Sequence, residues 1–180
     1  MCFKKTYHLI VSALIVLLLV YACGGKTTIF SWTRFIATNI STRTNSEVSN
    51  NVRANEYAIR LDFEIGETAS RTSSGGAIGR AEFFNDVIDS LEITSPENFN
   101  DSVSRNTILN RFFRVRINAE DQLLTTTQFL RLRKREVRER VELLLVQPPQ
   151  RETPIRFIVK LNLNFGRALR DTTDAIILRR

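Results

Sequence analysis

Few side chains in this 180-residue chain could do chemistry, and they are unevenly placed. The two cysteines are Cys2 and Cys23, and the one histidine is His8. Beyond Cys23 there is neither residue type, which excludes a Ser or Cys nucleophile paired with His and a His- or Cys-ligated zinc ion from that region. Carboxylates remain. Asp62, Glu64, Asp86, Asp89 and Glu92 lie on or beside strand-like patterns, and two acids are enough for glycoside hydrolysis or, with the right spacing, for a calcium site. No Asp-x-Asp-x-Asp spacing occurs, and outward strand positions are normally polar, so these acids read as surface residues. Lys26, Lys134 and Lys160 have no serine motif beside them. The chain reads as a non-enzyme with no cofactor.

A basic run is the most conspicuous remaining feature. Arg131, Arg133, Lys134, Arg135 and Arg138 crowd one segment that also holds Glu136 and Glu139. Such a cluster can meet an anionic surface, or it can be a solvated face with local ion pairs worth at most about 1 kcal/mol each. Nucleic acid is not expected as a partner, because no aromatic residues alternate with the arginines to stack on bases. Trp32 and Tyr57 could stack on a sugar, but both sit in strand patterns where they serve a core.

The N-terminus carries an address. Lys4 and Lys5 precede an apolar run from Leu9 to Val20, and small residues follow. This is the layout of a secretory signal peptide; the run is short of the roughly 20 residues that span a bilayer. Val20-Tyr21-Ala22-Cys23 resembles a lipobox, the motif at which bacterial lipoproteins are acylated on cysteine and cleaved, with Tyr21 where a small residue is usual. The resemblance implies a signal peptide over 1–22, a covalent acyl lipid on Cys23 and a membrane anchor of more than one chain, which is effectively permanent. A lipidated tether over 23–28 then leads into one domain over 29–180. Loss of Lys4 and Lys5 lowers the 26 basic residues to 24 against 19 acidic, a formal +5.

The elements that must position any site are strands. Tyr57, Ile59, Leu61, Phe63 and Ile65 alternate with polar neighbours, a period of two that marks a half-buried strand. Similar runs cover 29–36, 87–94, 113–117 and 157–165, while 141–147 ends before Pro148-Pro149. Residues 41–55 and 66–80 read as loops. One short helix is expected near 126–134, and residues 131–146 read as either helix or strand, with a strand ending at Gln147 preferred. Gly166 is read as the turn of a C-terminal hairpin that pairs 157–165 with 175–178. The expectation is an all-β, Ig-like antiparallel β-sandwich of about seven strands.

Asp89 to Ser95, Asn98-Phe99-Asn100, Asn110 to Phe113 and the terminal segment 157–178 are together similar to small lipoproteins of unknown function from Bacteroidetes-type bacteria. The resemblance implies the envelope and the sandwich and carries no functional residues. Two functions stay open: a lipid-anchored module docking on an envelope protein through a strand edge or loop, and a surface lipoprotein capturing a glycan. Gly24 to Thr28 holds no acid, which by analogy favours the outer membrane with the domain facing the periplasm.

Overall fold

The computed structural model describes residues 25–73, 81–117, 122–132 and 140–180. The expected signal peptide, Cys23, and the basic residues Arg133, Lys134, Arg135 and Arg138 lie outside the described residues. The strands are β1 (Gly25–Ser41), β2 (Ser46–Glu47), β3 (Asn51–Arg53), β4 (Tyr57–Ser73), β5 (Ala81–Phe84), β6 (Ile88–Thr94), β7 (Phe113–Ile117), β8 (Val141–Leu145), β9 (Pro154–Ile155), β10 (Ile158–Leu163), β11 (Ala168–Thr172) and β12 (Ile176–Arg179). One α-helix, α1, spans Thr126–Arg131. Thr125 and Gln128 cap it reciprocally, which satisfies amide groups that the first turn leaves open.

The fold is an all-β sandwich built from three sheets, ordered β2-β1-β4-β8-β7 with β5 beside β1, β11-β10-β6, and β3-β12-β9. The chain divides into two compact units. In the first, residues 27–30 of β1 pair in parallel with β5, and the Thr68 hydroxyl bonds the Ile29 carbonyl. The second, holding 32–65 and the described residues from Asp86 onward, contains the main core.

That core follows from the period-two pattern. Tyr57, Ile59 and Leu61 of β4, Phe113, Val115 and Ile117 of β7, and Val141, Leu143 and Leu145 of β8 all turn inward and are buried. Leu91 and Ile93 of β6 and Val159, Leu161 and Leu163 of β10 are buried likewise. Phe157 joins the layers: its ring lies 5.7 Å from Tyr57 and 5.4 Å from Phe113. Each such aromatic pair adds about 0.5–1.5 kcal/mol beyond the area it buries. Trp32 and Tyr57 are core residues, as their strand patterns imply.

Several local expectations change. Twelve strand segments are found among the described residues where about seven were expected, and two pairings, β1 with β5 and β3 with β12, are parallel. Residues 25–28 belong to β1 rather than to a tether, and 66–73 to β4 rather than to a loop. Thr68, Ala69 and Ser70 are exposed, so this stretch is held by backbone pairing and shows no apolar alternation. The hairpin partner of β10 is β11, not residues 175–178. Ile176 and Leu178 are buried and must enter a core, so β12 leaves for the sheet with β3 and β9; β11, half polar, serves as an exposed edge.

The free edge of β6 is closed by side chain and loop rather than by a strand. Asn110 accepts from the Ile93 amide at 2.9 Å and donates to the Leu91 carbonyl at 2.6 Å. The Leu109 amide bonds the Ile93 carbonyl at 2.7 Å, and the Asn106 amide bonds that of Ser95 at 2.6 Å. Asn110→Ala removes two of these bonds and leaves backbone groups unpaired, which costs about 1–3 kcal/mol. Urea unfolding of the two proteins should show that loss; equal midpoints would mean the edge closes without Asn110.

Candidate interaction site at the β10–β11 tip

The hairpin between β10 and β11 closes where the Leu163 amide bonds the Arg167 carbonyl at 2.7 Å. Asn164, Phe165 and Gly166 form its tip. Gly166 has φ +72° and Phe165 has φ +60°, ψ +23°. This left-handed region suits Gly and Asn, whereas another L-residue placed there loses about 1–2 kcal/mol. Phe165 gains no burial in return, since it is 79% exposed. A strained, exposed aromatic ring is the least economical residue for a plain turn. Such strain concentrates at functional positions.

Two clamps hold the tip in place. On one side the Asn164 amide donates to the Val87 carbonyl at 3.0 Å, and the Val87 amide donates to the Asn164 side-chain oxygen at 3.1 Å. On the other, the Arg167 guanidinium bonds Asp86 Oδ1 at 2.8 Å and the Trp32 carbonyl at 2.7 Å. The second oxygen of Asp86 accepts from the Trp32 amide at 2.7 Å. Asp86, expected on the surface, is 1% exposed. Its carboxylate is needed inside because the outer edge of β1 has no neighbouring strand at Trp32, and an unpaired buried amide would cost as much as a lost hydrogen bond.

Further along the same edge, Asp171 of β11 accepts from the Ala37 amide at 2.7 Å. The Asn39 side chain donates to the Asp174 carbonyl at 2.8 Å and accepts from the Tyr57 hydroxyl at 2.7 Å. Burial pushes the Tyr57 hydroxyl well above its ordinary pKa, against a smaller opposing pull from a bond with Thr173, so it stays a donor. An open groove of about 540 Å³ runs here, with Ile36, Thr38, Ser49, Asp171 and Asp174 among its walls.

Most of the remaining candidate carboxylates have structural partners, while Asp89 is exposed. Glu142 of β8, 1% exposed, takes two bonds from Arg116 of β7 at 2.8 and 2.5 Å. Arg60 of β4 lies opposite Glu142 in register and bonds Asp62 and Glu47, so a ladder of charges crosses one face of the sheet. Glu64 pairs with Arg34 at 2.6 Å in the open. Glu92 meets Lys160 at 3.8 Å. Burial opposes the charge of Glu97, yet the backbone and guanidinium of Arg156 and the Ser95 hydroxyl hold its carboxyl below the usual value. Among the described residues no three Asp, Glu, His or Cys groups are placed to hold a metal. Of the expected anionic-surface contacts, Arg131 is described, exposed at the end of α1.

The sequence does not mark Asn164 and Arg167 as functional, and its alternation puts Phe165 on the apolar face of a strand over 157–165; the structure ends β10 at Leu163 and exposes Phe165 in the turn. The legible signal was a bulky residue before Gly166 in a turn, where Asn-Gly is the common choice. Compared with protein-family models, curated proteins and solved structures, the chain matches none.

If the Phe165 conformation is held at the expense of stability, Phe165→Asn should stabilise the fold by about 1 kcal/mol. For a domain of this size that raises Tm by about 2–4 °C. Calorimetry that finds Phe165→Asn less stable than the parent would mean the ring contributes to the fold.

Proposed function

We propose that this chain is a lipid-anchored module of the bacterial envelope, without catalytic activity, that docks on a protein partner through the β10–β11 tip. The observation that carries the docking reading is Phe165, a ring exposed and held at positive φ between two clamps. Aromatic anchors presented on rigid elements are where interface energy concentrates. A lone ring is not a sugar-binding platform, so protein docking is preferred to glycan capture. Anchoring rests on the N-terminal pattern that ends in Cys23, and on the resemblance of most of residues 57–178 to small Bacteroidetes-type lipoproteins of unknown function. No helix among the described residues is long and apolar enough to cross a membrane, and the reading needs none. The proposed address is the outer membrane, with the domain facing the periplasm.

A photo-crosslinking phenylalanine analogue placed at Phe165 in living cells should yield a discrete heavier adduct. The same analogue at exposed Glu64 should not. Adducts of equal yield at both positions, or none at Phe165, remove the docking site. Anchoring is tested separately: Cys23→Ala should abolish acylation, seen by mass, and release the protein from the membrane fraction. Acylated protein recovered from that variant would rule out Cys23 as the lipid site.

A further inference from the structure

At the edge of the third sheet, β3 and β12 run in parallel with Leu178 opposite Val52 and Arg179 opposite Arg53. Val52 and Leu178 are buried, so the alternation of the strands turns Arg53 and Arg179 together toward the other face. Neighbouring strands lie about 4.8 Å apart, and like charges placed opposite each other destabilise a sheet. Local acids do little to offset them. Glu56 is 3.9 Å from Arg53 and is shared with Arg43 at 3.8 Å. Arg179 has no carboxylate partner among the described residues. Arg180 joins the group; its guanidinium is tied to the neutral carbonyl of Gln150, and its amide to Glu152.

These three arginines line an open cavity of about 800 Å³ whose other wall is apolar, made by Leu145, Val146 and Pro148. Val146 is 48% exposed there. The cations are all arginine, whose planar fork matches the oxygens of phosphate in pairs. Two guanidiniums lie side by side, one without a carboxylate partner among the described residues and the other sharing Glu56 with Arg43. They face an exposed aliphatic wall, and that pairing suits an anion with an apolar tail. We propose that Arg53 and Arg179 bind a phosphate ester, with its apolar substituent lying on Val146 and Pro148. The site is separate from the hairpin tip, and neither reading depends on the other.

The full chain, purified in a non-ionic detergent, is titrated with hexyl phosphate and with inorganic phosphate by calorimetry, and its Tm is followed with each. Hexyl phosphate should bind, raise Tm as any ligand selective for the folded state does, and bind at least about tenfold tighter than inorganic phosphate. In R53Q/R179Q the binding should be lost, while the ligand-free Tm stays level or rises as the repulsion is relieved. Arg179→Lys, which keeps the charge and loses the fork, should weaken binding without unfolding the protein. Equal affinity for the two phosphates would overturn the apolar half of the assignment and leave free phosphate as the ligand. No binding, or binding unchanged in R53Q/R179Q, overturns the site.

Discussion

The outer edge of β1 sets the terms for the rest of the molecule. This strand is long, and β5 pairs its first part while β2 pairs its last. Between them no strand among the described residues pairs this edge, and buried amides and carbonyls do not remain unpaired without penalty. Side chains from distant parts of the chain fill the gap: Asp86 and Arg167 at Trp32, and Asp171 at Ala37. Each brings a separate element to the edge. Because of this closure, Arg167 must sit directly after the β10–β11 turn, and the turn is thereby fixed against Val87 on its other side. A position that would otherwise be a mobile loop tip becomes a rigid mount for an exposed ring.

The same principle governs the other edges, with different means. Asn110 and the loop around it satisfy β6, and a bridge between Val115 and Leu124 covers part of β7. Exposed sheet edges invite pairing with other chains, and edges closed by side chains do not offer that pairing. Two of the features that stay open are more selective than a bare strand: the Phe165 ring at a tip, and the arginine pair at the end of the third sheet. The first offers apolar area and the second offers charge.

The charge ladder Glu47–Arg60–Glu142–Arg116 shows how few of the acids are free for chemistry. Glu142 is buried, and removing either it or Arg116 would leave a charge in a poorly solvated place, a change that costs several kcal/mol where burial is complete. Such pairs fix the register of the strands that carry them. The carboxylates that drew attention as candidate acids are occupied in this way or sit alone in solvent.

Local pattern was enough for the strands with alternating apolar residues. Tyr57 to Leu61, Phe113 to Ile117 and Val159 to Leu163 declare themselves, since burial of one face is written directly into a period of two. The helix near Thr126 is less legible, because the apolar residues that follow it up to Val146 fit a helix and a strand equally well. The sequence by itself therefore determined the all-β class, the inward residues of those three segments, and the absence of histidine and cysteine chemistry beyond Cys23. It could not determine partners. Residues 66–73 and β11 are strands because other strands bond them, and their polar side chains give no period to read. Asp86 looks like a surface acid until Trp32 and Arg167, far away in sequence, close around it. Which residue faces which, and hence the clamp under Phe165 and the pairing of Arg53 with Arg179, was decided by tertiary structure alone, because hydrogen-bond partners across a sheet are set by distance in space and leave no mark on their neighbours in the chain.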